Sequence, residues 1–269
     1  MIKGRIRTKL FVGLLILFAC SRTGLTQVDT LALRPMNEAT SFGFGNYQLK
    51  DTYLSPFIYR GWGGRILNER ITRLQSKFSR QRMIGVDLAT TKNPAENVND
   101  FGIFVDYSHA YHYHVFDGND FNILAGASAY IMGGFIYNTR NGNNPLSAKA
   151  DISLSFSLML LYTLWINDAP VIFRYQGILP FAGVFFAPPY GASYYEMFNE
   201  GNLSDVLALN SFHNKLDVKN YLTVDIPIYT QTLRLGYLFS YYTSDVHSIQ
   251  TRIFSNTFMI GWVKEFYLK

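Results

Sequence analysis

The chain has 269 residues with 24 Lys and Arg against 19 Asp and Glu, giving a formal charge of +5, and it holds one cysteine. Residues 1–26 contain Lys3, Arg5, Arg7, Lys9 and Arg22 with no acid, so the remainder is balanced and nothing in the charge argues for a nucleic-acid partner. With Cys20 as the single thiol, a disulfide framework and a cysteine metal site are both excluded.

The first element in chain order is a basic segment followed by the apolar run Leu10–Cys20 and a polar exit to Gln27. This pattern predicts a secretory signal peptide over 1–26, because the run is too short to span a membrane as a helix. Cleavage after Thr26 places Gly24 and Thr26 at the small-residue positions. The alternative is Leu17-Phe18-Ala19-Cys20 read as a lipobox, which would lipidate Cys20. Residues 27–40 are then expected to form a periplasmic segment, and 41–269 the folded body.

Ten strands are predicted, near 41–55, 61–74, 81–90, 102–116, 121–134, 150–166, 171–182, 216–228, 232–243 and 251–267. The first three alternate least regularly, and Gly43, Gly45, Gly61, Gly63 and Gly64 suggest bends or bulges there. In the fourth, Ile103, Val105, Tyr107, Tyr111 and Tyr113 share one face, with Asp106, Ser108, Ala110, His112 and His114 on the other. The sixth alternates most strictly: Ile152, Leu154, Phe156 and Leu158 oppose Asp151, Ser153, Ser155 and Ser157. Phe173, Tyr175 and Leu179 oppose Arg174 and Gln176 in the seventh. In the eighth, Leu222, Val224 and Ile226 oppose Tyr221, Thr223 and Asp225, and in the ninth Leu233, Leu235 and Tyr237 oppose Arg234 and Gly236. The last segment is aromatic-rich, with Phe258, Trp262, Phe266 and Tyr267 near the end.

Such a dyad period with one lipid-suited face is the signature of an all-β fold, an antiparallel transmembrane β-barrel of about ten strands. Aromatics make up 16% of the chain, including 19 tyrosines, a load that suits interfacial girdles. Short connections near 117–120, 167–170 and 229–231 alternate with long ones at 91–101, 135–149, 183–215 and 244–250. With both termini periplasmic, the strand count is even and the long loops are extracellular. Twelve strands follow if 183–215 holds another hairpin. Asp87, Asp106, Asp151, Asp225, Arg174 and Arg234 point inward on this parity, and about ten strands leave room for little more than side chains, so a charge-paired, plugged lumen is expected.

Three stretches carry a resemblance: Leu49–Pro56; Gly133–Asn141 with Asn143-Asn144-Pro145 and Ala148-Lys149-Ala150; and Tyr194–Phe198. They resemble an uncharacterised family of exported outer-membrane β-barrel proteins of Bacteroidetes-type bacteria, carried under a domain-of-unknown-function label. The resemblance implies a fold and a cell outer-membrane location, and it implies no activity, cofactor or catalytic residue.

On the ten-strand topology those stretches meet at the extracellular rim. Asn138, Arg140, Asn141, Tyr194, Tyr195 and Glu196 would form a polar, aromatic surface suited to a glycan, lipid headgroup or protein ligand, or would lock the loops over the barrel mouth. His112 and His114 share the interior face, but two ligands are too few for a zinc site, so hydrogen bonds to carboxylates such as Asp106 are expected and no metal is assigned. Asp245-Val246-His247 is similar to half of the site of omptin-type outer-membrane proteases, although the paired-aspartate element is missing. The reading is a non-enzymatic outer-membrane barrel in contact with outer-membrane lipid, acting through its extracellular loops. The alternatives are an enzyme acting on lipid or peptide at the rim, and a narrow channel for small solutes.

Overall fold

The computed structural model describes residues 34–268, apart from 74–76, 143, 167–168, 190, 192–193, 195–196, 198–205 and 211. The signal peptide, Cys20, the first part of the expected periplasmic segment, Tyr195 and Glu196 therefore lie outside the described residues. The strands are β1 (Arg34–Asp51), β2 (Ser55–Arg73), β3 (Phe78–Lys92), β4 (Asn99–Asp117), β5 (Phe121–Asn138), β6 (Leu146–Ile166), β7 (Ala169–Phe186), β8 (Leu207–Asn210), β9 (Lys215–Ile228), β10 (Gln231–Val246) and β11 (Ile249–Leu268).

Every pairing is antiparallel, and β1 pairs with β11 along its whole length, from Arg34↔Leu268 to Asp51↔Thr251. The sheet thereby closes into a barrel of ten strands, with β8 as the eleventh and shortest. Closure pairs each of the ten wall strands on both sides over most of its length, as a strand in hydrocarbon requires. β8 pairs only with the upper end of β7, Gly183–Phe186, while β9 pairs with Ile172–Ile178 of the same strand. Among the described residues, the 183–215 segment extends one side of the wall, and the ring passes directly from β7 to β9, which gives ten strands and not twelve. β1 starts and β11 stops at one end of the barrel, called here the terminal end; the opposite end is the distal end.

The strands outrun the sequence pattern. β1 begins at Arg34 and not near 41; the 135–149 loop shrinks to 139–145, and 91–101 to 93–98. The 244–250 loop becomes a two-residue turn at His247 and Ser248, with φ of 53° and 64°. Positive φ at both central residues is the primed hairpin geometry that matches strand twist. The physical reason is that a ladder needs only backbone groups, so it continues where the outward side chains stop being apolar. Nor do the early glycines mark bulges. Register shifts fall at Leu49/Asp51, His114/Phe116 and Leu154/Ser155. Gly45 and Gly63 face each other across β1 and β2 and serve close approach: a Cβ at Gly45 would lie 1.8 Å from the Asn256 carbonyl oxygen, and one at Gly63 2.7 Å from the Tyr47 ring.

Side-chain parity separates two environments. On β6, Asp151, Ser153, Ser155 and Ser157 are buried, whereas Ile152, Leu154, Phe156 and Leu158 are exposed, Ile152 at 62%. Phe44, Trp62, Leu88, Val105, Leu222, Leu235, Phe258 and Ile260 continue the exposed apolar surface around the wall. An apolar surface of this extent is far beyond what a water-facing exterior carries, and it fits a hydrocarbon solvent. Inside, apolar and charged layers alternate. Along β2 the buried residues run Glu69, Leu67, Arg65, and Leu67 joins Met83, Ile178, Tyr221, Leu238 and Met259 in one apolar cluster.

Candidate functional site

The lumen holds the largest concentration of charge. Nearest the terminal end, Glu69 of β2 accepts from both Nη atoms of Arg174 on β7, at 2.8 and 2.6 Å, and from Arg234 on β10 at 2.5 Å. Arg234 also forks onto both oxygens of Asp225 at 2.6 Å each. Gln81 donates to Glu69 and exchanges hydrogen bonds with Gln176, and Gln176 donates to Ser157 at 3.0 Å. Two guanidinium groups therefore meet two carboxylates, and amides fill the remaining acceptor sites. The bidentate geometry is what makes such a desolvated set tolerable.

Farther toward the distal end, Arg65 pairs with Asp87 and, at 2.8 and 3.0 Å, with both oxygens of Asp106. The Tyr47 hydroxyl donates to Asp87 at 2.6 Å, and Lys219 donates to the Tyr130 hydroxyl at 2.7 Å while lying 3.9 Å from Asp106. Lys215 pairs with Asp151, and at the distal rim Lys149 pairs with Asp51 at 2.7 Å and donates to Thr251 at 3.0 Å. Between these layers, among the described residues, lie cavities of about 20 and 40 Å³. Each is enough for one or a few waters. The plugged lumen and the inward direction of Asp87, Asp106, Asp151, Asp225, Arg174 and Arg234 are as the parity predicts.

The histidines find other partners than predicted. His112 Nε2 bonds Ser157 Oγ at 2.9 Å, and His114 Nε2 bonds Ser79 Oγ at 2.7 Å with Asp117 3.7 Å from its Nδ1. Asp106 is taken by Arg65, whose longer side chain reaches it across β3. Asp245 and His247 do not form an acid–base pair. Asp245 is exposed on β10, and His247 Nδ1 bonds the Ala187 carbonyl at 2.9 Å, tying the β10–β11 turn to the chain after β7.

At the distal rim, Asn138 is buried and saturated. Its Nδ2 donates to Asp100 at 2.7 Å and to the Tyr59 hydroxyl at 3.0 Å, while its Oδ1 accepts from the backbone of Arg140 and Asn141. Asn141 caps the same connection by accepting from the Asn144 backbone at 3.2 Å. The Tyr194 hydroxyl accepts from the Ala148 backbone at 2.6 Å, and its ring meets Tyr53 edge-on and stacks on Phe186. Burial pushes the Tyr194 hydroxyl above its ordinary pKa, so it stays neutral. Asn138 thus holds the β5–β6 connection in place, Tyr194 braces the start of β6, and Arg140 is left exposed on the connection.

Arg65, Glu69, Lys149, Lys215 and Lys219 were not found from the sequence. The signal for the first two was present, since residues 65, 67 and 69 keep one parity, but the glycines before them masked it. Lys215 and Lys149 lie just outside the predicted strands.

The family model described as "Protein of unknown function (DUF3316)" matches residues 10–269, and the chain belongs to that family. No curated protein matches it. Among solved structures, it is similar to the outer membrane protease OmpT from Escherichia coli, with a TM-score of 0.44 and 5% identity over 88% of this chain and 99% of that one. It is also similar to the β domain of the Bordetella autotransporter BrkA, with a TM-score of 0.39 and 13% identity over 86% and 99%. The translocator domain of the autotransporter NalP from Neisseria meningitidis gives a TM-score of 0.34 and 9% identity over 95% of each chain.

Proposed function

We propose, from a family membership that carries no activity and from the geometry of the barrel, that this protein is a non-enzymatic outer-membrane barrel that acts through its distal, extracellular rim. The terminal end faces the periplasm on this reading, and an N-terminal signal peptide directs export. The observation that carries it is the contrast between a lumen packed with paired charges and a rim that presents Arg140 on a connection held by Asn138. A sealed interior leaves the outward surfaces as the place where a partner can be met. A glycan, lipid headgroup or protein bearing an anionic group fits an exposed guanidinium supported in this way.

An epitope inserted after Gly142 is expected to be labelled on intact cells, and one inserted after Gly118, in a terminal-end turn, is not. Labelling at Gly118 on intact cells would overturn the orientation. The rim reading requires Arg140→Ala to abolish surface ligand capture while the folded barrel keeps its heat-modifiable migration on detergent gels, since Arg140 makes no ladder contact that closure needs.

A further inference from the structure

The outer wall is not apolar everywhere. On β10 the third and fifth residues, Leu233 and Leu235, face outward, as a lipid-facing strand requires. On β3, which also rises from a terminal-end turn, the third and fifth residues are Arg80 and Arg82. They share that face with Arg70 of β2 and His109 of β4, since the register sets Arg70 opposite Arg82 and Arg82 opposite His109. Like charges placed directly across a ladder repel one another. Distal to this group the outward residues return to Ile66, Ile84 and Val105, and on its terminal side Phe78 packs edge-on against Tyr113 at 5.3 Å. The cationic group therefore sits between the apolar belt and an aromatic girdle.

Its internal compensation is incomplete. Glu38 pairs with Arg70 at 2.6 Å and also accepts from Asn68. Among the described residues, neither Arg80 nor Arg82 has a carboxylate at ion-pair distance, and the Nε atoms of Arg70 and Arg82 are buried without a hydrogen-bond partner. Three guanidinium groups against one carboxylate leave the patch two charges in excess, at a depth where the surrounding wall is built for lipid.

We infer that this patch binds the phosphodiester group of an anionic phospholipid in the leaflet at the terminal end of the barrel. The chemistry matches at each point. Guanidinium groups fork onto phosphate oxygens, their stems let the heads reach toward the interface, and the girdle rings lie at headgroup level. The acyl chains of the same lipid would lie along Ile66, Ile84 and Val105. A second copy of the chain is the poorer occupant, because an isologous contact through this face would set arginine against arginine.

The inference rests on the membrane-barrel reading, whose own failure shows separately as the absence of heat-modifiable migration in the unaltered protein. The test is native mass spectrometry of the full, folded chain released from detergent, delipidated and then titrated with phosphatidylglycerol or phosphatidylcholine. One phosphatidylglycerol retained per barrel, at least ten-fold more tightly than phosphatidylcholine, is expected. R80Q/R82Q should lose that preference, and Lys92→Gln, an exposed cation at the distal end of β3, should keep it. Retention without headgroup preference, retention unchanged in R80Q/R82Q, displacement by equimolar inorganic phosphate, or a mass doubled through the same arginines would each overturn the inference. If R80Q/R82Q does not fold, Arg82→Lys decides. It keeps the charge and removes the fork, so weakened retention supports a phosphodiester site and unchanged retention overturns it.

Discussion

Asp151 and Ile152 are consecutive residues of β6, yet Asp151 is 1% exposed inside the barrel and Ile152 is 62% exposed outside it. The two faces obey different rules. Outside, any side chain that prefers hydrocarbon to water satisfies its position, so the requirement is one of type. Inside, each polar group needs a particular partner across the lumen, as Glu69 needs Arg174, 105 residues away in the chain. The requirement there is one of geometry, which makes the interior far less tolerant of change and leaves the exterior sensitive chiefly to charge.

The largest expected effect comes from breaking the interior rule. Glu69→Ala leaves Arg174 and Arg234 buried with a single carboxylate, Asp225, between them. Loss of one partner from such a set is expected to cost about 3–5 kcal/mol in urea-driven unfolding from lipid vesicles. The exterior rule breaks next: Leu154→Arg puts a charge on the lipid face and should cost about 2–4 kcal/mol near the midplane in the same assay. At the rim, Asn138→Ala removes the donors to Asp100 and Tyr59 and the acceptor for two backbone amides. A cost of about 1–3 kcal/mol is expected, read as faster proteolysis within 139–145 while the barrel stays closed. The smallest change is Ser155→Ala. The Ser155 hydroxyl is fully buried and has no hydrogen-bond partner among the described residues, so its removal should be neutral or slightly stabilising, within about 0.5 kcal/mol. Equal defects at Leu154 and Ser155 would contradict the assignment of one to lipid and the other to the lumen.

The exterior was the legible part of this protein. Ile152, Leu154, Phe156 and Leu158 declare their face by hydropathy, which is local, and the ten-strand closure follows once each such strand is counted. Strand ends were less legible, because past the apolar belt the ladder at Asn138 or Asp245 continues on backbone hydrogen bonds that leave no mark on side-chain type. Interior partnerships were least legible. Asp106 was placed on the right face, but its choice of Arg65 over His112 depends on register and reach across β3. The basic group at Arg70, Arg80 and Arg82 was missed because it breaks the apolar rule by which outward residues were recognised.

β6 faces lipid on one side and a sealed interior on the other, and site-directed spin labelling tests both sides at once. Each position from 151 to 158 is replaced in turn by a labelled cysteine in the folded protein in vesicles, and collision with oxygen and with a water-soluble nickel reagent is measured. Oxygen access alone is expected at 152, 154, 156 and 158, and access to neither reagent at 153, 155 and 157. Nickel access at the odd positions would contradict the sealed lumen, and nickel access at the even ones would contradict the membrane.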